Sequence, residues 1–162
     1  MKNLEERFEE FVSTKENPQD YYIEDGLVCC YGEVLITDED LVDGKLPFRF
    51  GEVDGDFICF FCHSLTSLEG CPEKVVGNFS CPWCDSLTSL EGSPKEVGGD
   101  FNCFHCKNLT TLFGCPEKIG GNFDCSRCTN LTSLDFIPYA IGRIIRVSPE
   151  MNLDVDLYVD VE

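Results

Sequence analysis

GDFICFFCHSLTSLEGCPEKVV, residues 55–76, is followed without a gap by GNFSCPWCDSLTSLEGSPKEVG (77–98), GDFNCFHCKNLTTLFGCPEKIG (99–120) and GNFDCSRCTNLTSLDFIPYAIG (121–142). The period is 22 residues, and four columns never leave phase. Phe57, Phe79, Phe101 and Phe123 form one; Cys59, Cys81, Cys103 and Cys125 the next; then Cys62, Cys84, Cys106 and Cys128; then Leu65, Leu87, Leu109 and Leu131. A fixed period of this length marks units that bury their apolar faces only by stacking on their neighbours.

Within a unit the fixed positions read F-x-C-x-x-C-x-x-L-x-x-L. The Phe and first Cys have strand spacing, and the later positions lead the chain around a coil. Gly70-Cys71-Pro72, Gly92-Ser93-Pro94 and Gly114-Cys115-Pro116 punctuate the return path. The pattern resembles the leucine-rich repeat, with Phe and Cys at strand positions and Cys at the Asn/Cys position. The following Leu comes one residue later than in that family. The LTSLEG-x-P stretch is also similar to repeats of uncharacterised bacteriophage and bacterial proteins. The resemblance implies a mainly β repeat solenoid: a leucine-rich-repeat-like parallel strand stack with an N-terminal capping helix and a C-terminal capping strand.

Three segments follow from this reading: a cap over 1–54, four repeats over 55–142, and a degenerate repeat with a capping strand over 143–162. Leu4, Phe8, Phe11 and Val12 share one helical face, which predicts an amphipathic helix covering the open end of the stack. Leu27–Tyr31 and Val34–Thr37 read as short strands. Residues 41–47 read as part of a degenerate repeat carrying a three-residue insertion before Phe57. Beyond the fourth repeat, Ile145 holds the Phe position, and Leu153 to Val161 alternate with acidic residues as a strand would.

The chain has 162 residues, 12 cysteines and a net charge of −18. Residues 1–56 carry 16 acids and 5 bases, residues 57–147 carry 9 and 7, and residues 148–162 carry 5 acids and no base. That balance excludes direct binding to a nucleic-acid backbone, which needs Lys and Arg against phosphate. No apolar run reaches the length of a membrane span, and the charged start MKNLEERFEEF lacks the apolar core of a secretory signal. The expected compartment is therefore the cytoplasm, that of the host cell on the phage resemblance, with cysteines as reduced thiols or metal ligands.

Cys59, Cys62, Cys81, Cys84, Cys103, Cys106, Cys125 and Cys128 fall in C-x-x-C pairs, a spacing that zinc sites use. Their recurrence in register points instead to small buried core residues. No cofactor is expected on that reading, and zinc is the alternative. His63 and His105 are out of phase with each other, and no nucleophile motif, phosphate loop or H-E-x-x-H is present, so no catalytic residue is assigned and no enzyme is expected.

The variable positions between fixed ones carry the candidate site: Ile58, Phe60, Phe61, Trp83, Phe104, His105 and Arg127. Strand alternation sends them outward as an aromatic strand face, and large aromatics standing in solvent mark an interface. The leading expectation is a protein-binding module, a phage-type inhibitor of a host protein on the resemblance, whose acidic ends steer it to a basic partner. Coverage of the patch by a second copy stays open. So do a zinc-stabilised module and a nucleic-acid mimic built on the acidic N-terminal segment, including Asp38-Glu39-Asp40.

Overall fold

Phe57 and Cys59 lie two apart and Cys62 three further on, so no single strand can turn all three inward. The chain bends after Cys59, and with a second bend near Gly70 each repeat closes into one coil. The computed structural model describes residues 2–13, 20–138, 140–142 and 145–148. It is mainly β: stacked parallel strands form a solenoid of about five turns behind one N-terminal helix.

Two sheets run along the stack. In one, Phe57 pairs in register with Phe79, Phe79 with Phe101, Phe101 with Phe123 and Phe123 with Ile145, the position assigned to Ile145 from the repeat phase. In the other, Glu52 pairs with Lys74, Lys74 with Glu96, Glu96 with Lys118 and Lys118 with Ala140. This second strand stands where a leucine-rich repeat places a helix or 3₁₀ segment, so the coil is β on two sides.

The core is the set of fixed columns. Phe57, Phe79, Phe101 and Phe123 are fully buried, with near-parallel rings whose centroids lie 5.8, 5.0 and 5.6 Å apart. Burying each such ring contributes about 2–3 kcal/mol. Both cysteine columns and the two leucine columns of the first three repeats are equally shut off from water. Glycine at Gly98 and Gly120 lets coils approach: a Cβ there would collide with the carbonyl oxygen of Val76 or Gly98.

Polar columns run alongside and alternate in type. Asp56, Asn78, Asp100 and Asn122 form a ladder in which Asn78 N and Asn122 N donate to the carboxylates of Asp56 and Asp100 at 2.7 Å, and Asp100 N donates to Asn78 Oδ1 at 2.8 Å. Lys74–Glu52 at 2.6 Å, Lys118–Glu96 at 2.7 Å and Lys95–Glu73 at 3.2 Å alternate in the same way across the other sheet.

Helix Leu4–Ser13 forms the N-terminal cap, as its apolar face predicts. Asn3 Oδ1 accepts from Glu6 N at 2.8 Å and Glu6 Oε2 accepts from Asn3 N at 3.0 Å, a reciprocal cap. Phe8 is buried against Tyr21, Phe48 and Phe50. Strand Leu27–Tyr31 lies as expected and Val34–Ile36 stops one residue short of Thr37, but an additional strand, Asp20–Glu24, pairs antiparallel with Leu27–Tyr31. Asp25 at φ 52 and Gly26 at φ 75 make the tight turn between them.

The insertion in the degenerate coil is one residue, not three. Val34 pairs with Phe57 and Ile36 with Cys59, an offset of 23, and the offset is back to 22 where Gly44 O accepts from Thr66 N, so the extra residue lies between Ile36 and Gly44. Gly44 does not match the repeat glycine: its carbonyl accepts from Thr66 N as Thr88 O does from Thr110 N, which sets it level with Thr66, four residues before Gly70. The capping strand expected over Leu153 to Val161 lies outside the described residues.

Candidate functional site

The two residues inside each C-x-x-C form a corner of the coil. The first strand ends at Cys59 in the first repeat and at Ser80, Asn102 and Asp124 in the others, so the corner lies beyond it. Phe61, Trp83, His105 and Arg127 occupy the second corner position with φ of 52, 56, 62 and 60°. This left-handed region suits glycine and costs a bulky residue about 1–2 kcal/mol. Turn bonds hold it, His63 N to Phe61 O at 2.8 Å and Asp85 N to Trp83 O at 3.0 Å, and the next coil ties it down through Trp83 N to Phe104 O at 3.0 Å.

The left-handed backbone aims these side chains outward and along the stack. Phe61 and Trp83 stack at 4.7 Å and 22°, Trp83 meets His105 at 5.8 Å, and Phe104 packs edge-on to Trp83 at 5.1 Å. Phe60 sits edge-on to Phe61 at 4.4 Å, and the Arg127 guanidinium lies 5.7 Å from the Phe104 ring centroid. Phe60 and Phe61 remain 46% and 39% exposed; Trp83, Phe104 and His105 are half-buried and Arg127 is exposed. The ridge is thus a continuous aromatic surface flanked by solvent.

Six of the seven candidate residues meet at this ridge, on a turn and not on the strand face expected from alternation. Ile58 does not join them. It stands in the strand column with Ser80, beside Asn78 and Asp100, in a shallow groove of about 280 Å³. Reading period two past Cys59 is what misplaced the ridge; burial of two cysteines three residues apart already demanded a turn between them.

All twelve cysteines are free thiols. The two buried columns brace each other: Cys106 Sγ donates to Cys81 O and Cys128 Sγ to Cys103 O, both at 3.1 Å, with Cys84 to Cys59 O at 3.7 Å. Hydrogen bonding with Cys62, Cys106 and Cys128 pushes the thiols of Cys59, Cys81 and Cys103 well up, and burial adds to it. Burial alone does the same at Cys71 and Cys115. Among the described residues no group of three or more His, Cys, Asp or Glu is placed to hold a metal ion.

Sequence reasoning passed over how the acidic stretch sits against the ridge. Because the coil before Phe57 is longer by one residue, Asp38 to Asp40 form a 3₁₀ turn at the same corner, one coil ahead of Phe60 and Phe61. Phe60 N donates to Ile36 O at 2.9 Å, and Asp38 Oδ1 accepts from both Ser64 N and Ser64 Oγ at 2.8 Å. Those bonds hold the Asp38 carboxyl below its ordinary range. His63 Nδ1 lies 3.3 Å from Asp85 Oδ2, and the buried Asp85 Oδ1 and His105 Nδ1 make no hydrogen bond with any of the described residues. Among the described residues no helix is long and apolar enough to cross a membrane. Comparison with family models, with curated proteins and with solved structures finds no match to this chain.

Proposed function

We propose that this chain is a non-enzymatic protein-binding module whose contact surface is the corner ridge of Phe60, Phe61, Trp83, Phe104, His105 and Arg127. One observation carries the reading: four successive coils place Phe, Trp, His and Arg at a left-handed position that glycine or asparagine would hold with less strain. Strain retained at exposed aromatic side chains points to a use in contact, not in folding. Trp and Arg are also the residue types that dominate interface energetics. The acidic surface directs the module to a basic partner, in the cytoplasm where free thiols persist. On the phage resemblance, that partner is a host protein held inactive.

Capture from the native cell tests this with three baits: the wild type, the double variant Phe61→Asn/Trp83→Asn, and Phe113→Ser, which alters an exposed aromatic at the other corner of the coil. A specific protein retained by the wild type and Phe113→Ser, and lost from the double variant, supports the ridge. Equal retention by all three removes it.

A further inference from the structure

The corner that carries the ridge changes character in a fixed order along the stack. It runs from Asp38-Glu39-Asp40 through Phe60-Phe61, Pro82-Trp83 and Phe104-His105 to Ser126-Arg127. One end is anionic, the middle aromatic, the other end cationic. Four coil steps of about 4.8 Å give a strip about 19 Å long, which an extended chain of about six residues would span. The Arg127 guanidinium over Phe104 demonstrates that a cation rests on these rings.

Resting on the reading of the ridge as a protein contact, we infer that its occupant is a short extended segment bearing Lys or Arg at one end, apolar residues in the middle and an acidic group at the other end. The cation faces Asp38 and Glu39, the apolar residues cover Phe61, Trp83 and Phe104, and the anion faces Arg127. Charge order fixes which end of the segment lies at which end of the ridge. The net charge of −18 draws such a segment in before contact and repels an acidic one.

Trp83, the only tryptophan, reports occupancy by its fluorescence. The probes are capped hexapeptides: Lys-Arg-Leu-Pro-Leu-Asp, its reverse, the neutral Gln-Gln-Leu-Pro-Leu-Asn, and the acid-ended Glu-Glu-Leu-Pro-Leu-Asp, which has no cation. One of the two basic-ended peptides is expected to bind about tenfold tighter than the neutral one, an advantage that shrinks as salt is raised. Glu39→Lys, at an exposed site and checked by its melting temperature, should erase that advantage and leave the neutral peptide unchanged. Equal binding of neutral, basic-ended and acid-ended peptides at Trp83 would overturn the charge order while leaving the ridge an apolar contact. If no peptide moves Trp83, the linear segment is wrong, and capture by the wild type against Phe61→Asn/Trp83→Asn then decides separately whether the ridge is a contact at all.

Discussion

Trp83 sits at φ 56, stacked on Phe61, tilted against His105 and only half-buried. Removing its ring forfeits those contacts, worth about 1 kcal/mol. Trp83→Ala keeps the left-handed strain, whereas Trp83→Gly relieves it. Glycine should therefore melt above alanine by the equivalent of about 1 kcal/mol, the reverse of the usual order in regular structure, with both folded and both unable to hold a partner. Calorimetry of the pair reads this directly, and a large loss in both would place Trp83 in the core. Cys106, fully buried and donating to Cys81 O, belongs to the opposite class. Cys106→Ala should cost about 1–2 kcal/mol, and a chelator should leave the wild-type midpoint where it was. The buried Phe, Cys and Leu of the repeats were legible in their fixed columns, whereas core residues ahead of them, such as Val28, Phe48 and Phe50, carry no such phase. Nor was the left-handed corner legible, since no glycine or asparagine stands there to announce it.

The N-terminal helix covers aromatic rings at the end of the stack, so deleting residues 2–13 strips Phe48 and Phe50 of the Phe8 ring. Aggregation at concentrations where the full chain stays monodisperse in light scattering is the expected result. The helix was legible because its apolar period is strong. The hairpin was not legible: Asp25-Gly26 is a recognised turn pair, but the strand before it, Asp20–Glu24, buries no residue fully and carries no apolar stripe. The acidic corner has its own pH signature. The folded Asp38 carboxyl titrates lower than in the unfolded chain, so its contribution is present above the ordinary aspartate range and is lost as pH falls through the folded value. Protection of the Ser64 amide and its neighbours, taken against the intrinsic exchange rate at each pH, should fall below about pH 4; Ser64→Ala, which keeps the backbone bond, should weaken that dependence only in part, and Asp38→Asn should remove it.

At the scale of the molecule, the acidic ends and near-neutral middle reflect the columns. Three columns answer a charge one coil later by its opposite or by an amide: Glu52, Lys74, Glu96 and Lys118; Glu73, Lys95 and Glu117; and Asp56, Asn78, Asp100 and Asn122; Glu69 and Glu91 instead repeat the same charge. The repeat therefore has two periods: its apolar core, like the Thr66, Thr88, Thr110 and Thr132 column, repeats every 22 residues, but the alternating charged columns repeat only every second coil. Length then obeys a parity rule. Excising residues 77–98 would leave the core in register yet set Asp56 against Asp100, Glu73 against Glu117 and Lys74 against Lys118. Excising 77–120 would remove twice as much chain and set Asp56 against Asn122, as a ladder of this kind requires. The shorter excision should melt lower in dilute buffer and recover with added salt, while the longer one should show little response to salt. An array built this way grows and shrinks by twos, so its natural unit of duplication is the pair of coils and not the single repeat that the eye finds first.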